Sequence, residues 1–321
     1  MDDNYLWPWM VMVYSAAINS YAKDFRIIVG NINSMLSQES IHIAERFTKS
    51  LGLDLDIINI TTSLNPRFDH QFNLTIYSRL FLMDMLEEDF IWFDSDLLLM
   101  PGWDTIFTET HDHVKENIAL YGVLDSKITR AKLEKDLNKA YLRSKGMYVN
   151  AGIIKIFTKN WRKLQKEVDW QEMAINIDDY GLSLHDQDII NYICAGHIKL
   201  IAPGFNYIVG DQISFQEKIL IKHFAGSPKP WQLDKAGKEF LLAVQGAKYF
   251  SPRDWLTQSS DAFLYFPKYW QVEAELLNYL QNFDDGLSQM VAGLRDRNLK
   301  KLDFVSRIKH YLIQLISWRF L

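Results

Sequence analysis

Two short segments of this chain hold residue types that suit a metal-bound diphosphate. In Asp94-Ser95-Asp96, two carboxylates are spaced so that an extended backbone would point both to one side. In His223-Phe224-Ala225-Gly226-Ser227-Pro228-Lys229-Pro230-Trp231, an imidazole is followed by a glycine, a lysine between two prolines, and an aromatic wall. The imidazole would hold the cation, and Lys229 would neutralise phosphate charge as a point donor. Gly226 lets the backbone come close to a ligand, while the prolines restrict the turn. Carboxylate oxygens, one imidazole and diphosphate oxygens suit Mn²⁺, with Mg²⁺ the alternative, better than zinc, which favours sulfur and nitrogen.

Both segments follow apolar runs. Phe90-Ile91-Trp92-Phe93 reads as a parallel strand covered on both faces, and Ile219-Leu220-Ile221 as a short buried one. Asp94, Asp96 and His223 thereby fall at strand carboxyl ends, where open α/β sheets bind ligands. Spacing alone proves little, because Asp-x-Asp recurs at Asp54/Asp56 and Asp186/Asp188. Asp54 and Asp56 alternate with apolar residues in the manner of a strand's solvent face. Asp186, Gln187 and Asp188 precede an apolar run over 189–193 that reads as helical. There Asp186 would cap the helix start by accepting backbone N–H bonds, a place that also faces ligands.

Arg79 lies among apolar residues at helical spacing, Ile76, Leu80, Met83 and Leu86. It is left either to donate to a sugar hydroxyl or carboxylate, or to pair with Asp84 or Glu87. Asn150-Ala151-Gly152 breaks an apolar strand with small residues, a sign of close approach by a ligand or backbone.

In this order, these segments resemble the family 8 glycosyltransferases, retaining enzymes that include bacterial lipopolysaccharide galactosyl- and glucosyltransferases and glycogenin. Asp2-Asp3-Asn4-Tyr5 and Tyr77-Ser78-Arg79-Leu80 extend the resemblance over roughly residues 1–235. It implies a nucleotide-diphospho-sugar transferase (GT-A, Rossmann-like) α/β fold and transfer of galactose or glucose from a UDP-sugar to a saccharide or glycolipid acceptor. By the same resemblance Asp94, Asp96 and His223 would bind Mn²⁺, and Ser95, Gly226 and Lys229 would lie at the donor, the last two on its diphosphate. Asp2 and Asn4 match the uracil- and ribose-binding positions. Arg79, Asn150, Ala151, Asp186 and Gln187 match positions around the donor sugar, with Asp188 beside them. Gln187 is a poor nucleophile beside a carboxylate, so the resemblance favours same-face transfer, with Asp186 or Asp188 orienting the sugar or acting as nucleophile. Family members usually carry an apolar strand just before Asp-x-Asn-Tyr. Its absence leads us to expect a missing first strand, with Asp2 and Asn4 at a fraying terminus.

The 321 residues, 48% hydrophobic and 23% charged, are ordinary for a folded protein. A net charge of −5 gives no case for nucleic-acid binding. One cysteine, Cys194, excludes an intrachain disulfide and fits a reducing, cytoplasmic setting. Apolar runs alternate with helical patterns to about residue 230, as in Phe25–Val29, Ser40–Leu51 and Thr75–Glu87, which predicts a mostly parallel sheet with helices on both faces. We expect a catalytic domain over 1–250 and a helical extension over 251–321. Residues 103–146 are more charged, suiting a solvated helix or a lid over the acceptor.

The tail from Arg295 to Leu321 carries seven Lys/Arg against Asp296 and Asp303, a net of +5, with Leu302, Val305, Ile308, Leu312 and Leu315 at helical spacing. Such a helix suits an anionic membrane surface and a peripheral location, or docking on the catalytic domain. Two rivals to transfer are a metal-dependent hydrolase of nucleotide sugars and a non-catalytic UDP-sugar- or membrane-binding protein.

Overall fold

The structure, a computed structural model, describes residues 1–22, 25–66, 73–110, 117–125, 138–209, 217–225, 229–232 and 261–298. The chain divides into two compact units, Met1–His223 and Phe224–Leu321.

The first unit begins tied down, not frayed. The Met1 amino group donates to Gly30 O at 3.1 Å. Asp2 is buried and caps a 3₁₀ turn, Asp3–Tyr5, by accepting from the Asn4 and Tyr5 backbone N–H groups. Asn73 Nδ2 donates to its other oxygen at 2.7 Å. The expected fraying fails because this one carboxylate satisfies three donors from two parts of the chain. Helix α1 (Leu6–Asn19) follows, apolar on every side and buried along most of its length.

Strands β1 (Arg26–Ile32) and β2 (Asp54–Ile60) pair in parallel, Arg26 opposite Asp54 and Ile32 opposite Ile60. Between them runs α2 (Gln38–Ser50), capped by Ser37 Oγ. A 3₁₀ turn, Leu74–Tyr77, leads into α3 (Ser78–Met85), then β3 (Phe90–Phe93) and β4 (Leu97–Leu99). Next come α4 (Thr105–Glu109), β5 (Leu120–Leu124), α5 (Lys139–Ser144) and β6 (Val149–Ile156). Helices α6 (Thr158–Gln165), α7 (Trp170–Ile175) and α8 (His185–Ile193) precede three short strands, β7 (Ile198–Leu200), β8 (Tyr207–Ile208) and β9 (Ile221–His223).

The sheets are mixed, which corrects the expectation of a mostly parallel one. The order β3-β6-β5-β7 places β6 between β3 and β5 and antiparallel to both, while β5–β7 is parallel. In the order β4-β9-β8, β4–β9 is antiparallel and β8–β9 parallel. A continuous apolar run reports burial on both faces, and a strand such as β6 is buried in either direction. The core gathers Tyr77, Leu80 and Met83 with Ile154, Trp161, Trp170 and Ile190. Asp84 on α3 fastens the outer helices by accepting from Trp161 Nε1 at 3.0 Å and Trp170 Nε1 at 2.8 Å.

In the second unit, α9 (Asp261–Phe283) and α10 (Asp285–Asn298) are helical, as the extension was expected to be. Trp231, read in the sequence as an aromatic wall, is buried against Tyr269, and Trp270 Nε1 donates to Pro230 O at 3.0 Å. Gly226, the charged segment 127–136 and the tail beyond Asn298 lie outside the described residues. Among the described residues, no helix is long and apolar enough to cross a membrane.

Candidate active site

Asp94-Ser95-Asp96 forms the turn between β3 and β4. The two carboxylates converge through this turn, not through the alternation of an extended strand. Asp94 N donates to Gly152 O at 2.8 Å, extending the antiparallel β3–β6 ladder by one residue. Beyond the turn, Leu97 on β4 lies opposite His223 on β9. Two antiparallel pairings thus bring together residues that are far apart in sequence.

Asp94, Asp96 and His223 can each offer one ligand atom, all within 4.8 Å of one another. His223 Nε2 lies 3.4 Å from Asp96 Oδ1 and 4.0 Å from Asp94 Oδ2. His223 and Asp96 are buried. Two carboxylate oxygens brought this close in a protein interior call for positive charge between them, and an O,O,N donor set fits a hard divalent ion such as Mn²⁺ or Mg²⁺. Gly152 makes room for the imidazole, since a Cβ there would lie 2.2 Å from His223 Cε1. The close approach that the small-residue break in β6 signalled is made by a side chain.

The neighbours of Asp94 set its orientation. Its Oδ1 accepts from Trp92 Nε1 at 2.7 Å and from Arg79 Nη2 at 2.8 Å. Arg79 is buried, its guanidinium 4.9 Å from the Trp92 ring centroid. It also donates to Ala151 O. Its Nε lies 2.8 Å from Asp186 Oδ2, close enough for charge pairing but without the alignment of a hydrogen bond. Arg79 therefore ties Asp94, Ala151 and Asp186 together and is not spent on Asp84 or Glu87. Burial pushes the Asp186 carboxyl up to about 6, with the Asp94 charge adding and Arg79 opposing.

Asp186 accepts from the backbone N–H groups of Asp186 and Gln187, as expected of it at the helix start, and Asp188 binds the residues just before that start. Asp188 is fully buried and accepts from Ser183 N at 2.6 Å, Leu184 N at 2.7 Å, Asn138 Nδ2 and the Tyr148 hydroxyl. Burial, with the Asp188 charge adding, pushes the Tyr148 hydroxyl up, so it stays protonated as a donor. Gln187 joins β6 instead: its Oε1 accepts from Ala151 N at 2.9 Å and its Nε2 donates to Asp125 Oδ2 at 3.1 Å. Asn150 Nδ2 donates to the same Asp125 oxygen at 3.1 Å.

Arg79, Asp94, Ala151, Asp186 and Gln187 are thus joined by direct bonds or ion pairs, Asn150 joins Gln187 through Asp125, and Asp96 and His223 lie beside Asp94. Ser95 is half-buried in the turn, and Asn4 is exposed near the buried end of the chain. Lys229, in the second unit, donates to Phe224 O at 2.7 Å and lies 5.7 Å from the Trp231 ring centroid. Sequence reasoning passed over Trp92, Asp125, Tyr148 and Asn206. Trp92 lies two residues before Asp94, and Asp125 ends an apolar strand as Asp94 does; both signals were there to be used.

A family model described as "Glycosyl transferase family 8" matches residues 1–235. A putative glycosyltransferase of Haemophilus influenzae is 25% identical over 254 residues, covering 72% of this chain and 71% of that protein. A crystal structure of an active-site mutant of LgtC superposes with a TM-score of 0.60 at 19% identity, covering 79% of this chain and 96% of that one. The galactosyltransferase LgtC in complex with donor and acceptor sugar analogues gives 0.58 at 20% identity, with the same coverage. These likenesses show the fold to be the GT-A arrangement.

Proposed function

The chain belongs to glycosyltransferase family 8, and on that premise we propose that it transfers a hexose, galactose or glucose, from a UDP-sugar to a saccharide acceptor with retention at the anomeric carbon. The observation that carries this reading is the convergence of Asp94, Asp96 and His223 beside the Arg79–Asp186 pair and the Asn150–Gln187 cluster. A divalent ion bound there, Mn²⁺ or Mg²⁺, supplies Lewis-acid stabilisation of the charge that develops on the departing diphosphate.

The chain's own residues divide the remaining work. Trp92 and Arg79 hold Asp94 Oδ1 and turn Oδ2 toward His223. Gln187 has its oxygen engaged by Ala151 N and its nitrogen by Asp125, which positions it but leaves it a weak nucleophile. Asp188 is occupied by four donors and serves as structure. Asp186, held by Arg79, is left to orient sugar hydroxyls, which favours same-face attack by the acceptor. Ser95, Asn150 and Ala151 complete the donor pocket in this reading, with Asp2 and Asn4 toward the nucleotide and Gly226 and Lys229 toward the diphosphate. The acceptor class we propose is lipopolysaccharide or another surface glycan, with residues 295–321 meeting an anionic membrane surface.

Incubation with UDP-galactose or UDP-glucose, with and without Mn²⁺, tests this by UDP release. Sugar-selective release that needs the metal and rises with a glycan acceptor is expected, and Asp96→Ala should lower it roughly 10²–10³-fold while the protein stays folded. Unchanged metal-dependent nucleotide affinity in Asp96→Ala would overturn the site. Release indifferent to every acceptor would point to hydrolysis.

A further inference from the structure

A single buried chain of hydrogen bonds runs from the Gln187 side of the site to the imidazole of His223, and its polarity can be read without ambiguity. Gly152 N is a backbone N–H and can only donate, and at 3.0 Å it meets one end of the Asn150 amide, which must be Oδ1. The other end, Nδ2, then donates to Asp125 Oδ2 at 3.1 Å. Asn150 Oδ1 also meets the Asn206 side chain at 2.9 Å, so the Asn206 atom there must be Nδ2. That leaves Asn206 Oδ1 facing His223 Nδ1 at 2.9 Å, and an amide oxygen can only accept. A proton of His223 therefore sits on Nδ1, and in the neutral ring the Nε2 lone pair faces Asp96 and Asp94.

From this geometry we infer that Asn206 is a positioning residue that fixes His223 in its Nδ1–H tautomer and so presents Nε2 as a metal ligand, with Asn150 relaying the orientation from Gly152 and Asp125. The inference rests on the reading of Asp94, Asp96 and His223 as a cation site. Every link is buried: Asn150, Asn206, Asp125 and His223 are all under one-tenth exposed. A flipped Asn206 would set its oxygen against Asn150 Oδ1 and lose that buried bond, which holds Asn206 Oδ1 toward the ring. Asn206 occupies the 3₁₀ turn Pro203–Asn206, whose following strand, β8, pairs with β9 and ends opposite His223 itself. Turn and imidazole are built into one small sheet, so the amide approaches the ring at a set angle. Outer partners of this sort commonly change metal affinity when removed, because they set which ring nitrogen carries the lone pair.

The decisive measurement is the tautomer of His223 in metal-free protein at a pH where imidazole is neutral, read from long-range ¹⁵N–¹H correlations and assigned by difference with His223→Gln. Wild type should show Nδ1–H. An Nε2–H wild type overturns the inference without any variant. Asn206→Leu, which keeps the volume and removes the acceptor, should shift the ring toward Nε2–H and weaken Mn²⁺ binding, followed by EPR of the free ion, roughly 10- to 100-fold. An Asn206→Leu protein that is folded by its thermal melt, keeps Nδ1–H and binds Mn²⁺ as tightly as wild type also overturns it. The underlying reading fails separately, through Mn²⁺ binding that is absent in wild type or unaffected by Asp96→Ala, while the metal-free tautomer still decides the role of Asn206.

Discussion

The pairs Asp94/Asp96 and Asp186/Asp188 share a spacing and differ in everything that spacing leaves open. Asp94 and Asp96 occupy a turn between two strands, and both reach a common point beside His223. Asp186 and Asp188 sit on the first turn of α8, where residues two apart lie about 200° apart around the axis and must face different neighbours. Asp186 meets Arg79, and Asp188 turns to Ser183, Leu184, Asn138 and Tyr148. Backbone conformation decides whether two carboxylates act as a pair. The helical pair is divided between the site and the scaffold.

That division breaks most visibly at Asp188. Removing it by Asp188→Ala strands four donors, those of Asn138 and Tyr148 both buried, and we expect a loss of about 3–5 kcal/mol in denaturant melts. A variant that instead melts as wild type and loses only turnover would return Asp188 to the catalytic machinery and erase the contrast with Asp186.

Asp186 sharpens the comparison through pH. Its folded-state value, about 6, is above the ordinary aspartate value, so between roughly pH 4 and 6 the folded protein holds a proton that the unfolded chain has released. The stability tied to this group is present below about pH 4 and is lost as pH rises through 6, an effect on the order of 3 kcal/mol in metal-free protein. Asp186→Asn should flatten that part of the stability profile relative to wild type. Equal slopes in the two proteins would mean that the Arg79 contact, not burial, governs the carboxyl.

The two pairs also mark how far the sequence could be read. Asp94 and Asp96 stood out because an apolar strand runs straight into them, although that strand, expected to be covered on both faces, is an edge strand whose four residues are only half-buried. His223 was legible for the same reason at the end of β9. Their convergence was implied by the resemblance but could not be read from the apolar runs themselves, since it depends on β4 and β9 running antiparallel, and apolar runs are silent on direction. The bonds of Asp188 were half hidden because two of its four partners are recruited by tertiary packing: Tyr148 lies just before β6 and Asn138 caps α5, while Ser183 and Leu184 are sequence neighbours. Asn206 has the weakest sequence signal of all, one amide in a proline-led turn, although it touches the proposed ligand directly. Helix α1 escaped because a helix apolar on every side has no periodicity to detect.

The third pair, Asp54 and Asp56, supplies the smallest expected effect and the control for the other two. Here the backbone is extended, and both carboxylates do share a face, as alternation predicts. That face is solvent: both residues are exposed, and Asp56 pairs with Arg26 at 3.4 Å with each side chain about half exposed. A surface pair of this kind contributes little, because water screens the charges and two mobile side chains must be held still. Asp54→Ala with Asp56→Ala should change stability by less than about 0.5 kcal/mol and leave Mn²⁺ affinity within about twofold, a shift under about 0.4 kcal/mol. A larger loss of metal binding would show that the acidic face of β2 contributes to the cation's field, and the distinction between a shared face and a shared ligand would have to be withdrawn.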